Sequence, residues 1–271
     1  MALRPFVYKP AARLFPAEMS STFTSVWLMV GLALSFPFFG HLITDNAKEI
    51  FYSPYWLLSV LKGVLLWWVI SLQQVVNKES TSSSVFWGFI ALALGSLANN
   101  LFFHEGLKLF QLACVCGFGV LGGVFMLKGD ARRLSLKGLI AFWAIVLCGT
   151  CCNITDHLAI PRAGWYMHLL ASSAVLFLMA LARGISRADF RKIFSLPSLY
   201  VAGICYVVTE FLIIYASTNL LPVSFVGIFM RLAAPVVMVI SALRYKEQSW
   251  QNQLLFGLVA LALAMPLILF K

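Results

Sequence analysis

Between residues 22 and 270 the chain is almost continuously apolar, interrupted only by short gaps whose Lys and Arg content alternates between rich and poor. Few folds accept that pattern. Charged residues make up 11% of the 271 positions, far below the roughly 25% usual in soluble domains, so lipid has to account for the missing charge. A helix needs about 20 mostly apolar residues to cross the hydrocarbon core. Nine stretches qualify: 22–43, 54–77, 84–103, 107–127, 136–157, 164–183, 196–217, 220–243 and 250–270. Only helices and closed barrels satisfy their backbone groups in lipid. Alternation of period two is absent, and runs such as 64–70 and 254–270 are apolar all round, which selects helices. The expected fold is an all-α polytopic membrane protein of about nine transmembrane helices, with ten still open. The gaps hold no room for a soluble domain.

The gaps also carry sidedness. Arg4, Lys9, Arg13, Lys78, Lys128, Arg132, Arg133, Lys137, Arg183, Arg187, Arg191, Lys192, Arg244 and Lys246 fall on the side of the N-terminus; Lys48, Lys108, Arg162 and Lys271 fall on the other. The positive-inside rule then makes the N-terminus cytoplasmic and the C-terminus external. The net charge of +10 is thus a consequence of topology and gives no reason to expect a nucleic-acid partner; the partners expected are the bilayer and a small-molecule or lipid substrate. The N-terminal segment 1–21 is basic but has neither a continuous apolar core nor a small-residue cleavage site, and reads as a cytoplasmic or interfacial segment rather than a cleaved signal peptide. An integral, multi-pass location in a bacterial cytoplasmic (inner) membrane is expected.

Ile43-Thr44-Asp45 recurs as Ile154-Thr155-Asp156, 111 residues on, and both copies lead through a short gap into a Trp-bearing helix. The same offset superposes 94–127 on 205–238. It suggests an internal repeat, with a first unit at 22–134 and a second at 135–271. Repeats of this size are common in secondary transporters, which bind substrate between the halves. The plain alternative is coincidence among Leu-, Ala- and Phe-rich segments.

Residues 199–270 carry Leu199-Tyr-Val-Ala-Gly-Ile-Cys-Tyr206, Ile213-Ile-Tyr-Ala-Ser-Thr-Asn-Leu-Leu-Pro-Val-Ser224, Arg231-Leu-Ala-Ala-Pro235, Tyr245-Lys-Glu247 and Gln253-Leu-Leu-Phe-Gly257. This stretch resembles the last three helices of an EamA-type domain of the drug/metabolite transporter superfamily. Residues 94–153 resemble the same unit more weakly. The resemblance implies a transporter built of two inverted five-helix halves. The chain departs from that pattern: nine stretches are found, and an offset spanning four helices would leave the two copies pointing the same way.

Two of the 20 Lys and Arg residues, Lys62 and Arg231, fall inside predicted helices. Glu210 does too, and a buried carboxylate costs several kcal/mol unless paired or protonated. Glu210 and Arg231 flank a predicted tight turn at similar depths, so a salt bridge across that hairpin is one reading. A titrating Glu210 that carries a coupled proton is another, and a static structural pair is a third. Lys62 and Arg231 together would make a positive central cavity suited to a carboxylate or phosphate. Asn99 aligns with Glu210 at the 111-residue offset, and two adjacent amides, Asn99 and Asn100, must find partners or glue helices. His168, Tyr206 and Tyr215 are lesser substrate-binding candidates. Asp45 and Asp156 occupy matched positions near helix ends and read as caps or entrance gates. Trp67 and Trp68 could stack a substrate, but volume filling is the favoured reading. Cysteines 114, 116, 148, 151, 152 and 205 lack metal-ligand spacing with His and read as small hydrophobes. No metal, cofactor or enzyme motif is expected: His-Glu-x-x-His, Gly-x-Ser-x-Gly, a P-loop and paired Asp-rich motifs are all missing.

The function expected is secondary-active transport of a small polar, anionic or zwitterionic metabolite, by alternating access at a midplane site of Lys62, Asn99, Glu210 and Arg231. The alternatives are a flippase for a lipid-linked sugar or lipid phosphate, and a non-transporting membrane subunit or enzyme.

Overall fold

The computed structural model describes residues 16–45, 47–81, 83–104, 106–128, 134–183, 197–219 and 250–269, with a few single positions between them. Every regular element among them is a helix. In chain order these are α1 (Glu18–Phe39), α2 (His41–Thr44), α3 (Ala47–Tyr52), α4 (Trp56–Glu79), α5 (Ser83–Phe103), α6 (Leu109–Lys128), α7 (Leu136–Ala163), α8 (Trp165–Ala182), α9 (Pro197–Asn219) and α10 (Trp250–Leu269). Seven of them, α1 and α4 to α9, are long and apolar enough to cross a membrane. Helix α10 spans 20 residues and occupies the last of the nine predicted stretches. The eighth stretch, 220–243, lies outside the described residues apart from single positions, as does most of 1–21.

Solvent exposure is inverted relative to a soluble protein. Leu34, Phe38, Leu101, Phe102, Leu109, Leu127, Leu136 and Leu147 are exposed, whereas Lys62, Gln74, Asn77, Asn99, His168 and Glu210 are buried. Water would penalise that exposed apolar surface heavily, and a bilayer removes the penalty. The outward-facing leucines meet lipid tails as apolar as themselves, so helix association rests on packing and on interhelical polar contacts.

Both devices are visible. Helix α4 packs against α7 and α8, α5 against α6 and α7, and α1 against α8 and α9. Glycines permit the closest approaches: a Cβ at Gly63 of α4 would sit 2.5 Å from the Ser172 carbonyl oxygen of α8, and one at Gly149 of α7 would sit 2.5 Å from the Trp87 ring of α5. Aromatic layers fill the wider gaps. Phe86 and Phe125 stack at 4.0 Å between ring centroids, and Phe256 meets both edge-on, which ties α10 to α5 and α6. Trp67 is in the core between α1, α4, α8 and α9, while its neighbour Trp68 is 43% exposed and faces outward.

The helix ends follow local chemistry. Ser135 caps α7 by accepting from the Gly138 N–H. The Glu79 carboxylate at the end of α4 in turn accepts from the Ser135 N–H at 2.7 Å and from its hydroxyl at 2.6 Å, which places a negative charge at a helix N-terminus. Asn100 turns toward the α5–α6 connection and accepts from the Leu107 N–H. Helix α7 runs six residues beyond its predicted end at 157. At about 1.5 Å per residue it is roughly 42 Å long, more than a hydrocarbon core requires. Pro161 does not stop it, and the chain breaks only at Gly164, whose φ of 79° is costly for other residues.

Candidate functional site

The extra length of α7 creates the site. With the helix continuing to Ala163, Asp156 is no longer terminal but sits inside the bundle, about 10 Å from that end. There it meets α4 and α8. Lys62 Nζ lies 2.6 Å from Asp156 Oδ1, with side-chain exposures of 5% and 14%. His168 Nε2 lies 2.8 Å from the same oxygen, and His168 Nδ1 lies 2.8 Å from the Ser59 hydroxyl. The result is a continuous polar chain, Lys62–Asp156–His168–Ser59, across three helices.

The chain is self-consistent in charge and hydrogen bonding. An ionised carboxylate only accepts, so the hydrogen is assigned to His168 Nε2. A neutral ring then accepts the Ser59 hydroxyl at Nδ1. Lys62 and Asp156 cancel, and His168 and Ser59 add no charge. Local sequence explains the placement. Ser59 and Lys62 are three residues apart on one face of α4, and Gly63 beside them lets α8 come close enough for His168 to reach Ser59. His168 itself is fully buried.

Glu210, on α9, is 8% exposed and acts electrostatically on Lys62. Lys62 and His168 are therefore joined through Asp156, and Glu210 is buried on the neighbouring helix α9. Arg231 lies outside the described residues. Asn99 is fully buried on α5. Tyr206 is buried a turn before Glu210, among Leu28, Trp67, Ile70 and Leu176. Tyr215 is 46% exposed, with its ring nearly perpendicular to that of Trp165 at 5.9 Å between centroids. Lys62 lies about 9 Å from the Trp56 end of α4 and His168 about 5 Å from the Trp165 end of α8. The network is thus displaced from the middle of the bundle toward the end where α4 and α8 begin.

Sequence reading expected Asp156 to act like Asp45, as a cap or gate. Asp45 is exposed, follows α2 and accepts from the Thr44 hydroxyl. Asp156 instead neutralises a buried lysine. Its presence inside an apolar stretch was the available signal, and the early helix boundary hid it. No group of His, Cys, Asp or Glu among the described residues has the arrangement of a metal site.

The fold and this interior define an integral membrane protein, a helical bundle with charge inside and hydrocarbon outside. A scan of protein-family models finds no match for the chain, and neither does a search of curated proteins.

Proposed function

We propose that the protein is a secondary-active transporter of a small polar solute, with the N-terminus cytoplasmic, in a bacterial cytoplasmic membrane. The observation that carries this reading is the buried Lys62–Asp156–His168–Ser59 chain with Glu210 in electrostatic range. Burying two ionised groups in lipid is expensive even when they are paired. Apolar residues of similar volume would hold α4, α7 and α8 together as well or better. Charges kept in such a place are usually there for substrate or ion passage.

Helix packing supports the reading. Helix α8 is the fifth long helix after α1, and α9 is the fifth after α4, so if each crosses the membrane, both pairs run in opposite directions. Helix α1 packs on α8, and the α4–α8 contact has its counterpart in α9–α1. A pseudo-two-fold axis in the membrane plane would produce this arrangement, and inverted repeats of that kind are a common basis for alternating access. The relation shifts the chain by about 143 residues rather than the 111 suggested by the Ile-Thr-Asp tripeptides, and it makes the halves inverted. Both it and the EamA-type resemblance imply the same mechanism: one half rocks against the other around the polar region.

In this reading Glu210 carries the coupled proton. The test is uptake into proteoliposomes of a solute chosen by thermal stabilisation from amino acids, nucleotides, sugar phosphates and lipid phosphates. Glu210→Gln should abolish the pH-dependent part of uptake. Unchanged pH dependence removes the proton role, and accumulation of none of the stabilising solutes removes the transport reading.

A further inference from the structure

Asn99 is fully buried, yet among the described residues neither its Nδ2 nor its Oδ1 has a hydrogen-bond partner. The same is true of the Ser96 hydroxyl, one turn earlier on α5 and 1% exposed. Donor and acceptor are both unmet at one side chain, so no amide flip resolves it. Groups left this way in an interior are destabilising, and within a bilayer bulk water does not offset the deficit.

Their position ties them to the charge network. On α5, Gly95 faces Asn153 of α7, and Phe103 lies against His157 with ring centroids 6.2 Å apart. Asn99, midway between Gly95 and Phe103, is therefore opposite the turn of α7 that carries Asp156. Around that level stand a cation (Lys62), a carboxylate (Asp156), and an amide and a hydroxyl with open valences.

We propose that Asn99, Ser96 and the Lys62–Asp156 pair form one recognition site for a zwitterion bearing an ammonium beside a carboxylate or phosphate. This rests on the transporter reading and narrows its substrate. Charge balance is the reason. A lone anion bound at Lys62 would draw it from Asp156 and leave that carboxylate facing a neutral imidazole. With Glu210 carrying its proton, as the transport reading has it, a lone cation at Asp156 would strand Lys62. A zwitterion places its acid on Lys62 and its ammonium on Asp156, so no buried charge loses its counterion. The Asn99 amide then donates to the acid and accepts from the ammonium, which uses both of its open valences.

The group can arrive as a free solute or as a lipid headgroup. The experiment uses the purified full-length protein in two arms. In micelles, melting is followed with the common L-amino acids and phosphoethanolamine, against singly charged counterparts such as propionate, ethylamine and methyl phosphate. In nanodiscs, phosphatidylethanolamine is compared with phosphatidylglycerol. The expected result is stabilisation by a zwitterion in one arm and none by the singly charged partners. Asn99→Leu should weaken that response at least ten-fold in apparent Kd without lowering the ligand-free melting temperature. Ser96→Ala should weaken it several-fold, and serves as the second variant if Asn99→Leu fails to fold.

The proposal is overturned if no zwitterion stabilises the protein in either arm, if propionate stabilises as well as alanine, or if both variants respond like wild type. An internal water on Asn99 would give this last result. Accumulation of a singly charged solute in proteoliposomes would end this proposal and leave transport standing. Zwitterion binding without accumulation would do the reverse.

Discussion

Replacing Lys62 by Met removes the cation and keeps most of the side-chain volume. Among the described residues it leaves Asp156 with the His168 N–H as its remaining polar contact. At 2.6 Å and an effective dielectric near 20, the lost attraction is about 6 kcal/mol, offset by the cost of desolvating Lys62 on folding, which the variant no longer incurs. Breaking a buried pair by removing one partner costs about 3–5 kcal/mol in net terms. The decisive variant is the double one, Lys62→Met with Asp156→Asn. The Asn side-chain oxygen still accepts from His168 Nε2, so the double variant loses the ion pair but strands no charge. It should recover to within about 1 kcal/mol of wild type, because a neutral substitute for a buried ion pair is often as stable. Equilibrium unfolding in mixed micelles of dodecyl maltoside and SDS measures all three forms. If Lys62→Met alone costs less than about 1 kcal/mol, or the double variant is worse than the single one, the pair is not buried and coupled in the way described.

Two further perturbations test the packing. Gly63→Ala should separate α4 from α8 and cost about 1–3 kcal/mol, since the new methyl meets the Ser172 backbone oxygen; Gly123→Ala, with nothing within 4 Å among the described residues, is the control and should be neutral or mildly stabilising in the same unfolding assay. Tyr166 donates to the Leu32 carbonyl at 3.2 Å and lies 3.0 Å from the Ser35 hydroxyl, linking α8 to α1. Tyr166→Phe should therefore cost about 0.5–1.5 kcal/mol, and no loss in mixed-micelle unfolding would mean the bond forms only in another conformation.

Helix existence was readable because length and hydropathy are local properties. The stretches 54–77, 84–103, 107–127 and 196–217 lie within a few residues of α4, α5, α6 and α9. Helix ends were less readable. The prediction ended α7 near 157, with Asp156 read as a residue near the helix end, and only tertiary contacts supply the partners that let Asp156 stay inside. Partner choice was not readable at all. Sequence reasoning left Lys62 to line a positive cavity, whereas packing through Gly63 and the extension of α7 bring it an aspartate. The repeat rests on three matched letters at an offset of 111, and the inverted relation proposed above rests on helix pairing instead.

The amino-acid sequence alone determined that this chain is a helical membrane bundle and which few polar residues lie within its apolar stretches, because the cost of exposing backbone and charge to lipid depends on composition over a window of about 20 residues. The tertiary structure decided which of those residues meet. Lys62 is far in sequence from Asp156 and His168, and the energy of an ion pair depends on a separation of a few ångströms, set by where glycines let helices touch.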